Sequence, residues 1–380
     1  MTEPCPVLLD VLAEIPDFRQ PQGRRHPLHA ILALSVCAML CGYRSYGAIA
    51  EWGRNYGKSL TQALGFTHQK SPCAATLHTI LRYVNKDEVE EKLGRWAEGV
   101  LASVAPTAPA LSGVAIDGKS LRGSRKQGAP GAHLLAALGH RLGLTVAQTA
   151  VADKTNEITA VHALLESLVL VGKVVTVDAL LTQRDVAQVI IEGGGDYVMV
   201  VKGNQPALHE EIAQVFEEPK LVAETIVRST TLDGGHGRIE QRRLSASTVL
   251  EGYSQWPGLK QVFAVERVVT IKKSGDKRAE VVYGVTSVGR ERAGAEQLLE
   301  LVRHHWHIEN QLHWVRDVTF DEDRSQVRSG NIPQVMAALR NTAIGIMRLA
   351  GETNIAAACR RFAAQPWSAL ALIGIKQKTE

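Results

Sequence analysis

The sequence predicts an α/β protein: a mixed sheet flanked by helices, preceded by a helical N-terminal domain and interrupted by a β-rich insertion before the last helix of its core. Three observations predict it. Residues 1 to 105 carry helical periodicity with little strand signal. After the proline-marked stretch APTAPAL, short β-rich runs alternate with helical ones, the pattern of an α/β sheet. From Ala207 to about Gly289, alternating runs joined by turns such as DGGHG and SGDK read as strands alone. The corresponding segments are 1–105, helical; 106–206, the first part of the sheet; 207–289, the insertion; 290–350, the segment carrying the Glu309 helix; and 351–380, a helical tail.

A chain of 380 residues is long for one core, because domains usually hold roughly 100 to 150 residues. The formal charge of +4 permits a polyanionic partner without demanding one. The five cysteines are scattered and form no CxxC pair, which argues against a disulfide framework or a zinc knuckle and suits a reducing cytoplasm. Leu28 to Leu40 is apolar but shorter than the roughly 20 residues a bilayer requires, so no membrane is expected. The start, MTEPCPVLLDVL, has no basic and apolar export pattern.

In chain order, Val7 to Ile15 is a short amphipathic helix stopped at Pro16. The turn-rich DFRQPQGRRHPLHA concentrates Arg19, Arg24, Arg25 and His26 before Pro27 opens a long apolar helix. Tyr43, Arg44, Tyr46, Trp52, Arg54, Tyr56 and Lys58 then place aromatics and bases together. Ser71 and Pro72 read as N-cap and first residue of the next helix. Such a domain could grip a DNA backbone through Arg24 and Arg25, or could be a helical bundle with solvated arginines. Beyond the linker at Pro106 to Pro109, LSGVAID is a strand ending in Asp117, and HLLAALGH and GLTVAQTAV are two further strands. Asn156 caps a helix from Glu157 to Val169, VVTVD is a buried strand closing on Asp178, TQRDVAQVIIEG is a helix, and DYVMVV is a strand running into KGNQP. The tail from Ile332 is helical, with Arg340, Arg348, Arg360 and Arg361 on its polar faces.

The stretch from His304 to Asn331 is the most crowded with His, Trp, Arg and carboxylates. On one continuous helix, Glu309 shares a face with Val302, His305, Leu312, His313 and Arg316. A carboxylate held at the edge of a packed face requires a cationic partner or a metal. Asp117 and Asp178 bear on that choice, because α/β sheets put their chemistry at strand ends facing a crevice. Three carboxylates from separate segments can hold two Mg2+ or Mn2+ ions, which activate an attacking water or hydroxyl and steady the leaving oxygen of a phosphodiester. Each acid has a polar annex: Lys119 and Arg122, Gln183 and Arg184, and His305, His313 and Arg316. Asp317 is the best rival to Glu309, and Glu157, Asp321, Glu322 and Asp323 are further carboxylates near the same motifs. Lys202, Asn204 and Gln205 read either as DNA contacts or as a tight turn into Pro206. Trp306 and Trp314 read as packing residues or as wedges beside a distorted DNA end.

The segments AIDGKSLRGS, VTVDALLTQRDVAQVIIEGGGDYVMVVKGNQP and HWHIENQLHWVRDVTFDEDRSQVRSGN resemble the DDE transposases of bacterial insertion sequences, in particular the H-repeat-associated family. The resemblance covers nearly the whole chain. It implies an RNase H-like catalytic core, divalent-metal-dependent cutting at element ends, and joining of the freed 3′ hydroxyl to target DNA. It places the catalytic and metal-binding acids at Asp117, Asp178 and Glu309. Lys119, Arg122, Lys202, Asn204, Gln205, His305, His313, Arg316, Arg24 and Arg25 become candidate DNA contacts. The partners expected are insertion-sequence ends and target DNA, with a homodimer on paired ends and action in the cytoplasm at the nucleoid. Relatives carry a Tyr and an Arg before the Glu and a Lys after it; Val302, His305 and Arg316 stand at those places.

Overall fold

Pro27 fixes a φ suited to a helix start, and the apolar run behind it folds as the most deeply buried helix of the N-terminal region. The computed structural model describes residues 5–104, 111–125, 131–151, 157–218, 223–235 and 237–377, so the linker prolines Pro106 to Pro109 and the expected cap Asn156 lie outside the described residues. The first six helices are α1 (Leu8–Ala13), α2 (Leu28–Leu40), α3 (Tyr46–Asn55), α4 (Gly57–Ala63), α5 (Ala74–Tyr83) and α6 (Lys86–Ser103). Then come β1 (Ser112–Ser120), β2 (His133–Gly139), β3 (Thr145–Val151), α7 (Glu157–Glu166), β4 (Lys173–Val177), α8 (Arg184–Glu192), β5 (Asp196–Val201) and α9 (Pro206–Glu217). Strands β6 (Val227–Gly235), β7 (Arg238–Ser247), β8 (Gln261–Ile271) and β9 (Lys277–Thr286) precede α10 (Ala295–His305). A π-helical segment, Ile308–His313, leads to α11 (Trp314–Val318), α12 (Ile332–Leu349), α13 (Ile355–Ala364) and α14 (Pro366–Leu372).

The chain divides into two compact units: Leu111–Asp117 with Val161–His307, and Met1–Ala110 with Gly118–Ala160 and Ile308–Glu380. The first is built on strands in the order β1-β4-β5-β9-β8-β7-β6. β1, β4 and β5 are parallel, and every later pairing is antiparallel. All five residues of β4 are buried, which is why its sequence reads as an unbroken apolar run. Leu298, Leu299 and Leu301 of α10 pack on Val174, Val198, Leu244 and Phe263. The β-rich insertion prolongs this sheet, because β9 pairs directly with β5. Gly284 of β9 permits that packing: a Cβ there would strike the Phe263 ring.

In the second unit every residue of α2 except His29 is buried, and α1, α3, α12, α13 and α14 pack around it. β2 and β3 form an antiparallel hairpin against which α6 and α12 lie. The last residues of β1 belong to this unit and run beside β2: Leu121 N donates to Ala132 O at 2.8 Å, and Ser120 Oγ is 2.8 Å from His133 Nδ1. Gly118 leaves room for the same imidazole, whose Nε2 would lie 2.7 Å from an added Cβ. Between α6, β3 and α12 sits a network of amide side chains around the Glu90 carboxyl. Gln148 Nε2 donates to Glu90 at 2.5 Å, Gln334 Nε2 to the other Glu90 oxygen at 2.8 Å, and Asn341 Nδ2 to Gln148 at 2.8 Å.

The fold class is the one read from the sequence, and five local expectations require correction. β1 does not end at Asp117 but runs on through GKS to Ser120. The helix expected to carry Val302 through Arg316 on one face is not continuous: α10 ends at His305, and Ile308–His313 is wound as π-helix. A π turn holds more residues per turn, so the i+7 alignment of Glu309 with Arg316 is lost. Arg340 lies on no polar face, because α12 is buried without a break from Gln334 to Met347. α5 starts at Ala74 with Cys73 as its N-cap, two residues after the expected start at Pro72. α7 stops at Glu166, where the Ser167 hydroxyl caps Leu164 O at 2.7 Å.

Candidate catalytic site

The parallel pairing of β1 with β4 puts Ile116 opposite Val177. The next residue after each is an aspartate: Asp117 stands within β1, which runs on to Ser120, and Asp178 directly follows β4, both half-buried. Neighbouring strands lie about 4.8 Å apart, which brings two such carboxylates within reach of one ligand. His305, at the end of α10, is buried beside them, with Nδ1 3.1 Å from the Thr176 hydroxyl on β4. Burial lowers its pKa, against the opposing pull of Asp117 and Asp178, so the imidazole is neutral at pH 7.

Asp178 is embedded in the loop that follows it. Its Oδ1 accepts from Leu180 N at 3.1 Å and Leu181 N at 3.3 Å. Thr182, fully buried, has its hydroxyl 2.8 Å from Asp178 O and 2.7 Å from Val200 O. From the turn after β5, Asn204 Nδ2 donates to Ala179 O at 2.6 Å and Thr182 O at 3.2 Å, while Gln205 Nε2 donates to Thr182 O at 3.2 Å. Asn204 and Gln205 therefore spend their donors on this loop, while Lys202 is exposed.

The other unit holds the remaining candidates. Glu309 is exposed, and its carboxylate lies 3.2 Å from Nδ1 of the buried His313 within the π-helical segment. Lys119 and Asp317 form a 2.5 Å ion pair, so the carboxylate that rivals Glu309 already has a cation. Arg122 is exposed and 3.6 Å from Asp323. Arg24 is also exposed and donates to Arg19 O at 2.7 Å, closing a turn that the Asp17–Arg19 fork holds, while Arg25 faces solvent.

Arg316 differs most from its expected place beside a phosphate. It is 0% exposed, with Nε donating to Glu322 at 2.7 Å, and the other Glu322 oxygen accepts from Arg340 at 2.7 Å. Burial pushes the Glu322 carboxyl up, but Arg316 and Arg340 together outweigh it and hold the group below the usual range. His305 and His313 are likewise buried, so in this structure none of the three presents a surface to DNA. Sequence reasoning missed Thr176 and Thr182 as partners and the pairing of Glu322 with Arg340. The Arg–Glu–Arg cluster left no signal because its members lie 6 and 18 residues apart and cross two helices.

Residues 108–346 match the family model described as Transposase DDE domain, and residues 9–97 match the model of the region associated with it. The chain belongs to the DDE transposase family. Among its relatives is YhhI, an H repeat-associated protein of Escherichia coli (strain K12), 30% identical over 90% of this chain and 90% of that one. A protein from the dhlA 3′ region of Xanthobacter autotrophicus is 35% identical over 66% of this chain and 85% of its own length. A cryo-EM structure of a piggyBac transposase synaptic complex with hairpin DNA aligns at a TM-score of 0.42 and 11% identity, covering 96% of this chain and 77% of that one. The family's core is RNase H-like, and a transposase DDE domain implies a DNA-cleaving enzyme that uses a divalent metal. At the positions where relatives carry Tyr, Arg and Lys, Val302 packs on the α10 core and His305 and Arg316 are buried. No described helix is long and apolar enough to cross a membrane.

Proposed function

We propose that this DDE transposase binds insertion-sequence ends, cuts them with Mg2+ or Mn2+, and joins the freed strand to target DNA. The observation that carries the reading is the pair Asp117 and Asp178, which directly follow the paired residues Ile116 and Val177 of adjacent parallel strands. The donors fit a hard cation, since both are carboxylates. Asp117, Asp178 and Glu309 would hold two ions. When bound, these supply Lewis acidity at the scissile phosphate and stabilise the leaving oxygen.

Each residue's own task follows from its surroundings. The two aspartates fix ligand oxygens on neighbouring interior strands of the sheet, a rigid support of the kind preorganisation requires. His313 steadies Glu309. The exposed cations Arg24, Arg25, Arg122 and Lys202 are placed to meet backbone phosphates, with residues 1–105 serving end binding and association. In the chemistry itself, water attacks phosphorus at the element end and the P–O3′ bond breaks. The liberated 3′ hydroxyl then attacks a target phosphodiester and displaces its 3′ oxygen. The working form is a homodimer on paired ends, acting at the nucleoid in the cytoplasm.

The test is a strand-transfer assay with a pre-nicked element end and supercoiled target DNA. Joined product that requires Mg2+ or Mn2+ is expected. Cleavage of intact ends without joining from nicked ones would make the protein a nuclease of the same fold, and end binding with neither activity would make it a binding protein only.

A further inference from the structure

The KGNQ turn that follows β5 bears directly on Asp178, and its own geometry says how. Lys202 to Gln205 close a tight turn through Gln205 N to Lys202 O at 3.0 Å, and Pro206 then starts α9. That turn faces the loop Asp178–Gln183 across the ends of two paired strands, β4 and β5. The loop's carbonyls are claimed one after another by side chains. Thr182 Oγ1 lies on that of Asp178, Asn204 Nδ2 on those of Ala179 and Thr182, Gln183 Nε2 at 3.2 Å on that of Leu180, and Gln205 Nε2 on that of Thr182. Gln205 Nε2 also meets Gln183 Oε1 at 3.0 Å.

With its carbonyls held by side chains of the loop and of the KGNQ turn, the loop turns two amides inward, those of Leu180 and Leu181, onto one oxygen of Asp178. A carboxylate gripped at Oδ1 by its own loop cannot rotate freely, so the direction of Oδ2 is set. Asn204 is thus connected to Asp178 through the loop backbone.

We propose that Asn204, backed by Thr182, is a positioning residue for Asp178: its amide holds the loop whose N–H groups orient the carboxylate, so that Oδ2 is presented as the ligand oxygen. The inference rests on the proposal that Asp178 binds a divalent cation. It assigns Asn204 and Gln205 of the KGNQ motif a task other than reading DNA, because their amide donors are already engaged within the fold. Loss of an outer partner of a metal ligand typically costs roughly 10- to 100-fold in metal affinity, and that is the size expected here.

The test uses the full-length protein without DNA and follows Mn2+ binding by titration with EPR detection. Wild type is compared with Asp178→Asn, Asn204→Ala and Thr182→Val, the last removing one hydroxyl at nearly constant shape. In parallel, binding to a short mixed-sequence duplex is measured at several salt concentrations. Asn204→Ala and Thr182→Val are expected to weaken Mn2+ binding by roughly 10- to 100-fold while leaving duplex affinity and its salt dependence unchanged. If Asp178→Asn loses Mn2+ but both loop variants bind it as wild type does, the positioning role is wrong and the metal reading stands. If Asp178→Asn itself binds Mn2+ as wild type does, the metal reading fails and this inference fails with it. Weakened duplex binding with intact Mn2+ affinity would make Asn204 a DNA contact. Should Asn204→Ala not fold, Thr182→Val decides the matter alone.

Discussion

Asp178 and Glu322 are both carboxylates surrounded by donors, yet they are held in opposite ways. Asp178 is half-buried and takes two backbone amides on one oxygen. Glu322 is 2% exposed and gives each oxygen to a guanidinium. Neutral donors on one side leave a carboxylate with an oxygen still to use, and two cations in a closed site leave none. An acid near a catalytic motif is therefore sorted by what its second oxygen does.

The comparison breaks first at activity. Asp178→Ala is expected to cut strand cleavage by about a thousandfold or more, since a metal ligand contributes several kcal/mol of transition-state stabilisation. Its thermal stability should change by no more than the roughly 1 kcal/mol of a lost side-chain cap, because the loop retains its Asn204 and Thr182 bonds. A gel-shift assay should show DNA binding retained. Equal losses of activity and stability would mean that Asp178 is structural, as Glu322 is.

Glu322→Ala should show the reverse balance. Removing the carboxylate leaves Arg316 and Arg340 buried and uncompensated, which costs roughly 3 to 5 kcal/mol. Urea unfolding measures it directly. Arg122→Ala is the control: Arg122 sits in an exposed pair with Asp323, and removing it should cost under about 1 kcal/mol. A Glu322 variant as stable as this control would show that the buried cluster holds nothing together.

The two carboxylates also differ in how far the sequence disclosed them. Asp117 and Asp178 stood out because the apolar β1 and β4 runs each end in an acid, and parallel pairing turns that coincidence in sequence into proximity. The insertion strands were legible from their β-rich runs and turns, although burial alternates only along β6, while β8 and β9 each have one buried end and one exposed end. The segment after α10 was not legible, because apolar spacing fits a straight helix as well as one that stops at His305 and resumes with π winding. Charge misled in the same region. Arg316 and Arg340 look like surface cations until Glu322 is seen between them, and no local pattern announces an ion pair made across helices. KGNQ could be read as a turn from its residues, but only the fold shows which carbonyls its amides reach.

Glu90 lies between the two extremes and gives the smallest effect. Like Glu322 it is buried, and like Asp178 it accepts from neutral donors, here the amides of Gln148 and Gln334. Burial outweighs those bonds and pushes its carboxyl up to about 7 from 4.5. A native pKa above the unfolded one means that the folded protein binds the extra proton. The stabilisation is therefore complete below about 4.5, declines as pH rises, and is lost above about 7. The gap from 4.5 to about 7 corresponds to on the order of 3 kcal/mol. Glu90→Gln cannot titrate, so the wild-type minus variant stability, measured by urea unfolding at about pH 5 and about pH 8.5, should fall by most of that amount toward alkaline pH. Groups common to both proteins cancel in this difference. A difference independent of pH would mean that Glu90 is ionised throughout, and the distinction between neutral and cationic surroundings would then not govern the buried carboxylates of this protein.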